Sequence, residues 1–330
     1  METVVLSQRE VRALLGMGEC IELMADALAA LARGEAQNPL RRGMRLGGDR
    51  GLLGLMPGSL GGAFGLKAVA VLPGNHGTPY DSHQGVVVLF DGENGLPRAI
   101  LDASEVTAIR TAAVSAVATR LLAREDACEL AILGSGVQAR AHLEAILAVR
   151  PIRRARVFSP REASRASFAR RESRRHSIPV EAVASAREAV EGADIVCTVT
   201  SSREPVLAGA WLAPGAHVNA AGACLPDARE LDTEAVRRSR LFVDRRESAL
   251  REAGDILIPL AEGAFGEEHI RGELGELLLG HIAGRESPEQ ITVFESLGLA
   301  VEDLAAAAHL DRKARELGAG ARVQLGGLRE

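Results

Sequence analysis

The chain has 330 residues, with 39 Lys+Arg against 44 Asp+Glu and a formal charge of −5; this length predicts two domains, and mild acidity argues against a nucleic-acid partner, which needs a strongly basic face. No apolar run approaches the roughly 20 residues that span a bilayer, the N-terminus lacks a basic-then-apolar leader, and Cys20, Cys128, Cys197 and Cys224 form no CxxC pair. Membrane, zinc and disulfide readings are set aside, and a reducing cytoplasm is the expected location.

Ser7 and Glu10 have the spacing of a capping box at the first helix. A second helix is predicted from about Glu19 to Arg33, with Ile21, Met24, Ala25, Leu28 and Leu31 on one face and Gly34 as its stop. From Pro39 to about Asp102 the pattern shortens to apolar runs between Gly, Pro and Asn: Leu52–Met56, Leu66–Leu72 and Val86–Phe90. Asp91–Gly95 turns the last of these into Pro97–Leu101, so a meander sheet is predicted. The helical period returns from Ser104 through Leu121. From Ala127 to about Val293 strands and helices alternate: strand Leu130–Leu133, helix Val137–Val149, strand Arg156–Phe158, helix Arg161–Arg174, then strands Ile195–Thr200, His217–Ala221 and Leu241–Val243. Such alternation signals a parallel sheet with crossover helices. A last helix is predicted from about Ser296 to Leu317, stopped by Gly318. The expected fold class is α/β, a doubly wound domain inserted into an α+β one.

Glu129–Leu133 runs into Gly134-Ser135-Gly136-Val137-Gln138-Ala139, a G-x-G-x-x-A pattern between a strand and a helix. Gly134 permits the tight turn, Gly136 lets a pyrophosphate approach the backbone, and Ala139 lets helix and strand pack closely. The helix N-terminus adds free N–H groups and the positive end of its dipole. A glycine turn kept only for packing is the competing reading; the flanking strand and helix favour a dinucleotide site. The second strand ends Phe158-Ser159-Pro160-Arg161, with Arg165 one turn later and no carboxylate at its tip to hold a ribose 2′-OH. A hydroxyl and a guanidinium suit a 2′-phosphate, so NADP(H) is favoured over NAD(H). The alternative is an ordinary solvated face of an Arg-rich helix.

Four cations stand in otherwise apolar or glycine-rich text: Arg41, Arg42, Lys67 and Arg110. A lone strand lysine ordinarily points to solvent; together these residues would hold a small carboxylate through charge-assisted hydrogen bonds. His83 at a strand entry and His76 in the preceding turn have no partner at metal-ligand spacing, so no metal is expected.

Taken in order, Ser82-His83-Gln84-Gly85, Leu89-Phe90-Asp91, Thr107–Ala113, Ile132–Ala139, Gly192–Val196, Pro214–Asn219, Arg229–Asp232, Gly272–Glu276 and Thr292–Gly298 resemble the ornithine cyclodeaminase/mu-crystallin family over nearly the whole chain. The resemblance implies a homodimer, with a Rossmann domain at 123–294 inserted into a substrate and dimerisation domain at 1–122 plus 295–330. It implies a small anionic imino or amino acid as substrate, its carboxylate held by Arg41, Lys67 and Arg110, with Lys67 and Arg110 catalytic. It also implies cofactor contacts from Ser82, His83, Arg110, Thr111, Gly134, Ser135, Gly136, Val137, Gln138, Ser159, Arg161, Thr200 and Ser296.

Ornithine cyclodeaminases resemble one another in an Asp two residues before the proline that is Pro226 here, and in a Glu just before Leu-Met-Pro. This chain has Cys224 and Gly54 at those positions. Without carboxylates for a distal ammonium, the resemblance points to the ketimine-reductase branch, in which an imino acid takes hydride from NAD(P)H and gives an L-amino acid. Lys67 is then the expected proton source, and the reverse reaction is an amino-acid dehydrogenase. Two alternatives stay open: a cyclodeaminase-type lyase turning L-ornithine into L-proline and ammonia with NAD as catalytic cofactor, and a non-catalytic NADPH-dependent binding protein of mu-crystallin type.

Overall fold

A computed structural model describes residues 2–48, 50–75 and 78–326; His76 lies outside them. The chain forms two compact units, Met1–Arg110 with Leu299–Glu330, and Thr111–Gly298. It passes from the first to the second inside helix Ala103–Leu122, whereas the expected boundary at 122 is the end of that helix.

The first unit is built on an 8-stranded sheet. Gly51–Leu60, Ala63–Val71, His83–Asp91 and Pro97–Asp102 form the expected antiparallel meander, with Thr3–Leu6 added parallel to Pro97–Asp102. The hairpin before Pro97 closes as expected, with Gly95 at φ 72° and its N–H bonded to Asp91 O. Alternation gives the sheet two distinct faces. Met56, Lys67 and Val87 are cross-strand partners on one face, and all three are buried. The C-terminal helix Ala300–Leu317 packs on this face, so close that a Cβ on Gly65 would lie 2.8 Å from Leu304 Cδ2. Leu55, Ala68 and Val86 partner on the other face, which also carries Met44 and Phe64; Met44, Leu55, Phe64 and Val86 are all exposed.

Both N-terminal helices form as predicted, Gln8–Leu14 with its Ser7–Glu10 capping box and Met17–Ala32 stopping just before Gly34 at φ 76°. The C-terminal helix starts later than its periodicity suggests. Leu297 and Gly298 lie in a loop whose two N–H groups donate to Asp244 Oδ2 at 2.7 Å each, which withdraws them from any helical ladder.

The second unit is an 8-stranded sheet whose strands all run parallel. Its order begins Val180–Ala182, Arg154–Phe158, Glu129–Leu133, Ile195–Thr198, His217–Ala220, the doubly wound arrangement. Chain order reverses between Glu129–Leu133 and Ile195–Thr198, which is where open α/β sheets bind ligands outside the strands' carboxyl ends. Strand residues such as Ala131, Ile132, Val196, Val218 and Val293 are wholly buried, as expected for a sheet covered on both faces. Among the described residues no helix is long and apolar enough to cross a membrane.

Candidate functional site

In the first unit Lys67 is only 3% exposed, against the ordinary expectation for a strand lysine. Strand alternation puts it on the face covered by the C-terminal helix, between Met56 and Val87 of the flanking strands. Lys67 Nζ donates to Asp303 Oδ1 at 3.1 Å and to Thr107 Oγ1 at 3.3 Å, and lies 2.9 Å from Asp303 Oδ2. Arg110, on the helix that also carries Thr107, donates from Nε to Asp303 Oδ1 at 2.9 Å and from Nη1 to Glu302 Oε2 at 2.7 Å. Asp303 therefore accepts from both cations.

Glu302 and Asp303 are fully buried in the first turn of the C-terminal helix, where the positive end of the helix dipole favours carboxylates. Burial pushes the Lys67 ammonium down to about 8, aided by the charges of Arg110 and Arg41 and opposed by Asp303. The expected cation pocket is thus a mixed-charge cluster. Sequence reasoning missed both carboxylates, because nothing local in the sequence links them to Lys67 or Arg110.

The other expected residues of this unit lie as follows. Arg41 is half-buried and close enough for its charge to act on Lys67. Ser82 and His83 stand at the entry of strand His83–Asp91, with Ser82 Oγ 3.0 Å from His83 Nδ1. His83 feels the Lys67 charge: desolvation and then that charge hold its imidazole below the ordinary value.

In the second unit, Gly134 adopts φ 125° and a Cβ there would lie 2.7 Å from Val199 O, so only glycine fits the turn. Its N–H donates to Phe158 O at 2.8 Å, tying the loop to the neighbouring strand. Gly136 caps helix Val137–Val149 with no side-chain hydrogen bond, and a Cβ on it would meet nothing within 4 Å. The helix N-terminus is therefore open, with free N–H groups and the favourable end of the dipole. A cavity of about 400 Å³ opens beside it, lined by Ser135, Gly136, Val137, Arg140, Arg171 and Arg175. Val137 is exposed, and Gln138 Oε1 is buried with no hydrogen-bond partner among the described residues. These features fit a dinucleotide pyrophosphate.

At the end of strand Arg154–Phe158, Ser159 is buried and shares a 2.9 Å hydrogen bond with Ser135. Arg165 is engaged locally: its Nη1 donates to Ser159 O and Pro160 O, and its guanidinium lies over the Phe158 ring. Arg161 is exposed; its carbonyl accepts from Ser164 N and Arg165 N, and its guanidinium has no partner among the described residues. Thr111 is buried, and Thr200 is half-buried just past strand Ile195–Thr198. Ser296 follows strand Thr292–Glu295 and is buried with Oγ unpaired among the described residues.

The same unit holds a second group that the sequence did not reveal. Glu230 is buried and accepts from Thr200 N at 2.6 Å and Gly222 N at 2.9 Å, shaping the loops after two neighbouring strands. Asp255 Oδ1 accepts from Glu230 N and Leu231 N. Burial raises Glu230; burial and then the Glu230 charge push Asp255 up to about 8; burial and then Asp255 raise Glu295 well above the carboxylate range. Raised carboxyl values mean that the folded chain keeps protons the unfolded chain releases. The stability they lend is full below about pH 4 and is lost as pH climbs through the folded value, for Asp255 about 8. We expect the unfolding free energy to decline between about pH 5 and pH 8, and Asp255→Asn to flatten part of that decline in denaturant titrations.

A model of the ornithine cyclodeaminase/mu-crystallin family matches residues 1–317. Ketimine reductase mu-crystallin of Mus musculus is 42% identical over 286 residues, 85% of this chain and 87% of the mouse protein. Among solved structures, Thermococcus litoralis Δ1-pyrroline-2-carboxylate reductase in complex with NADH and L-proline superposes with a TM-score of 0.95 at 40% identity, covering 97% of this chain and 100% of that one. An archaeal alanine dehydrogenase dimer with bound NAD gives 0.93 at 33% identity, covering 99% and 100%.

Proposed function

Since the chain belongs to the ornithine cyclodeaminase/mu-crystallin family, we propose that it is an NAD(P)H-dependent oxidoreductase that reduces the C=N bond of a small imino acid to an L-amino acid, and in reverse oxidises the amino acid. The observation that supports this most directly is a buried lysine and a buried arginine that donate to the same carboxylate, Asp303. The relatives that reduce Δ1-pyrroline-2-carboxylate or ketimines agree with it.

The chain contains two lysines, Lys67 and Lys313, against 37 arginines. Arginine cannot release a proton at any ordinary pH, whereas lysine can once buried. A lysine at this buried position is what proton transfer requires, and Lys67 near 8 retains its proton at neutral pH while able to give it up. In reduction, the N–H bond on Lys67 breaks as one forms on the imine nitrogen, leaving the amine of Lys67 neutral. Arg110 and Arg41 are the groups we assign to the substrate carboxylate, Arg110 oriented by Glu302 and Asp303. Gly134, Ser135, Gly136, Val137 and Gln138 would hold the pyrophosphate, and Ser82, His83, Arg110, Thr111, Thr200 and Ser296 complete our assignment of cofactor contacts. When bound, the reduced nicotinamide supplies the hydride that the imine carbon accepts.

We favour NADP(H) because Ser159 and the exposed Arg161 stand where NAD sites carry an acid. Arg161→Ala is expected to weaken NADPH binding roughly ten- to a hundredfold, about 1.5–3 kcal/mol, with little change for NADH in paired calorimetric titrations. Cyclodeaminase chemistry is disfavoured: Gly54 and Cys224 offer no carboxylate to a distal ammonium. The deciding assay follows reduced-nicotinamide absorbance with Δ1-pyrroline-2-carboxylate. Net oxidation is expected. Ammonia from L-ornithine without net cofactor change would establish the lyase, and NADPH binding without turnover of any imino acid a binding protein.

We also infer a homodimer built on the first unit's open sheet face. Met44, Leu55, Phe64 and Val86 make it an exposed apolar surface, with Phe64 stacked on Phe90 at 5.3 Å. Such a patch is unusual on a monomer, and the similar alanine dehydrogenase is a dimer. Val86→Glu should shift sedimentation from two subunits to one; an unchanged dimer assigns the interface elsewhere.

A further inference from the structure

Asp303 reaches both Lys67 and Arg110 from the far end of the sequence, 236 residues after Lys67. It is fully buried, and its Oδ1 accepts from Lys67 Nζ at 3.1 Å and from Arg110 Nε at 2.9 Å. A buried ammonium flanked by Met56 and Val87 would otherwise shed its proton.

We propose that Asp303 is the positioning residue for Lys67: its carboxylate keeps the ammonium charged in a dry site and fixes the direction in which it gives its proton. The use made of that proton rests on the imine-reducing reading; the holding of it does not. Arg110 serves as the counterweight. It shares Asp303 and is itself held by Glu302, so the Asp303 carboxylate keeps a cationic partner and its place after Lys67 has turned neutral.

The charged and titratable groups acting on Lys67 come from every element around it. Asp303 raises it, while Arg110 from helix Ala103–Leu122 and Arg41, just ahead of strand Arg42–Leu46, lower it. Glu302 neighbours Asp303 on the C-terminal helix and holds Arg110, His83 on the adjoining strand feels the Lys67 charge, and Cys20 on the second helix sits near Arg110 with its thiol pushed beyond the titrating range by burial. Asp303 is the one anion among them in direct contact with Lys67 Nζ.

The sequence makes this directly measurable. With two lysines in the chain, ¹³C-lysine labelling gives two Cε signals. Lys67→Arg assigns them, and Lys313, paired with Glu19 at 2.7 Å, is the internal control. In the protein without substrate or cofactor, Asp303→Asn is expected to lower the Lys67 midpoint by about 1–3 pH units, as loss of a neighbouring opposite charge does. Asp303→Glu should restore most of it, and Lys313 should not move. A folded Asp303→Asn protein with the wild-type Lys67 midpoint overturns the proposal. Should that variant not fold, the wild type alone decides: a Lys67 midpoint of about 5–6, the range of a buried amine lacking a carboxylate partner, overturns it equally. Kinetics separate the two readings. If the Lys67 signal moves in Asp303→Asn but the pH limb of kcat/KM does not, Asp303 holds the proton as proposed and Lys67 is not the donor to substrate.

Discussion

Lys67→Met is expected to cut imine reduction by roughly 10²–10⁴-fold, the usual contribution of a positioned acid or base, with folding and NADPH affinity retained. Methionine has nearly the same length and suits the apolar flanks Met56 and Val87. Asp303 is not orphaned by the change, since Arg110 Nε still donates to it at 2.9 Å. Lys67→Arg sharpens the result: it keeps the charge but has no proton to release, so it too should be slow. Turnover is read from reduced-nicotinamide absorbance, and NADPH affinity from calorimetry. A Lys67→Arg enzyme of near wild-type rate would remove the amine from the chemistry and leave it a simple anchor.

Arg110→Met has a different expected signature. Arg110 and its partners Glu302 and Asp303 are at most 3% exposed. Removing one partner from such a cluster leaves buried charge uncompensated, which costs about 3–5 kcal/mol. Urea unfolding should show that loss at neutral pH. Lys67→Met, which leaves the arginine in place, should be markedly more stable. Equal stability of the two variants would mean that Arg110 is not the keystone of the cluster.

The second unit was readable in advance because its chemistry is local. Gly134 and Gly136 stand in one loop between a strand and a helix, Ala139 opens the helix just after it, and helix Val137–Val149 forms at the predicted limits. The first unit was harder for a physical reason. In Ala63–Val71 the bulkier apolar residues Phe64 and Leu66 alternate with Gly65 and Lys67, so hydropathy alone turns Lys67 outward. The helix instead packs on the Gly65 side, where the absent side chain leaves room for Leu304. That inversion buries the lysine and exposes Phe64. Glu302 and Asp303 were invisible as partners because nothing local links them to Lys67. The strand Thr3–Leu6 was missed for its shortness, and Arg165 looked available to a phosphate until its bonds to Ser159 and Pro160 carbonyls were seen.

The position of Asp303 late in the chain also bears on biosynthesis. At roughly 5–20 residues per second, a ribosome that has just added Lys67 needs about 12–47 seconds to add the Asp303 that lies 236 residues on. Throughout that interval the nascent meander has neither its covering helix nor the counter-ion for its lysine. The nucleotide-binding unit, by contrast, is contiguous at Thr111–Gly298 and can mature first. The emerging polypeptide thus completes its contiguous unit before the helix that supplies Lys67 with its counter-ion.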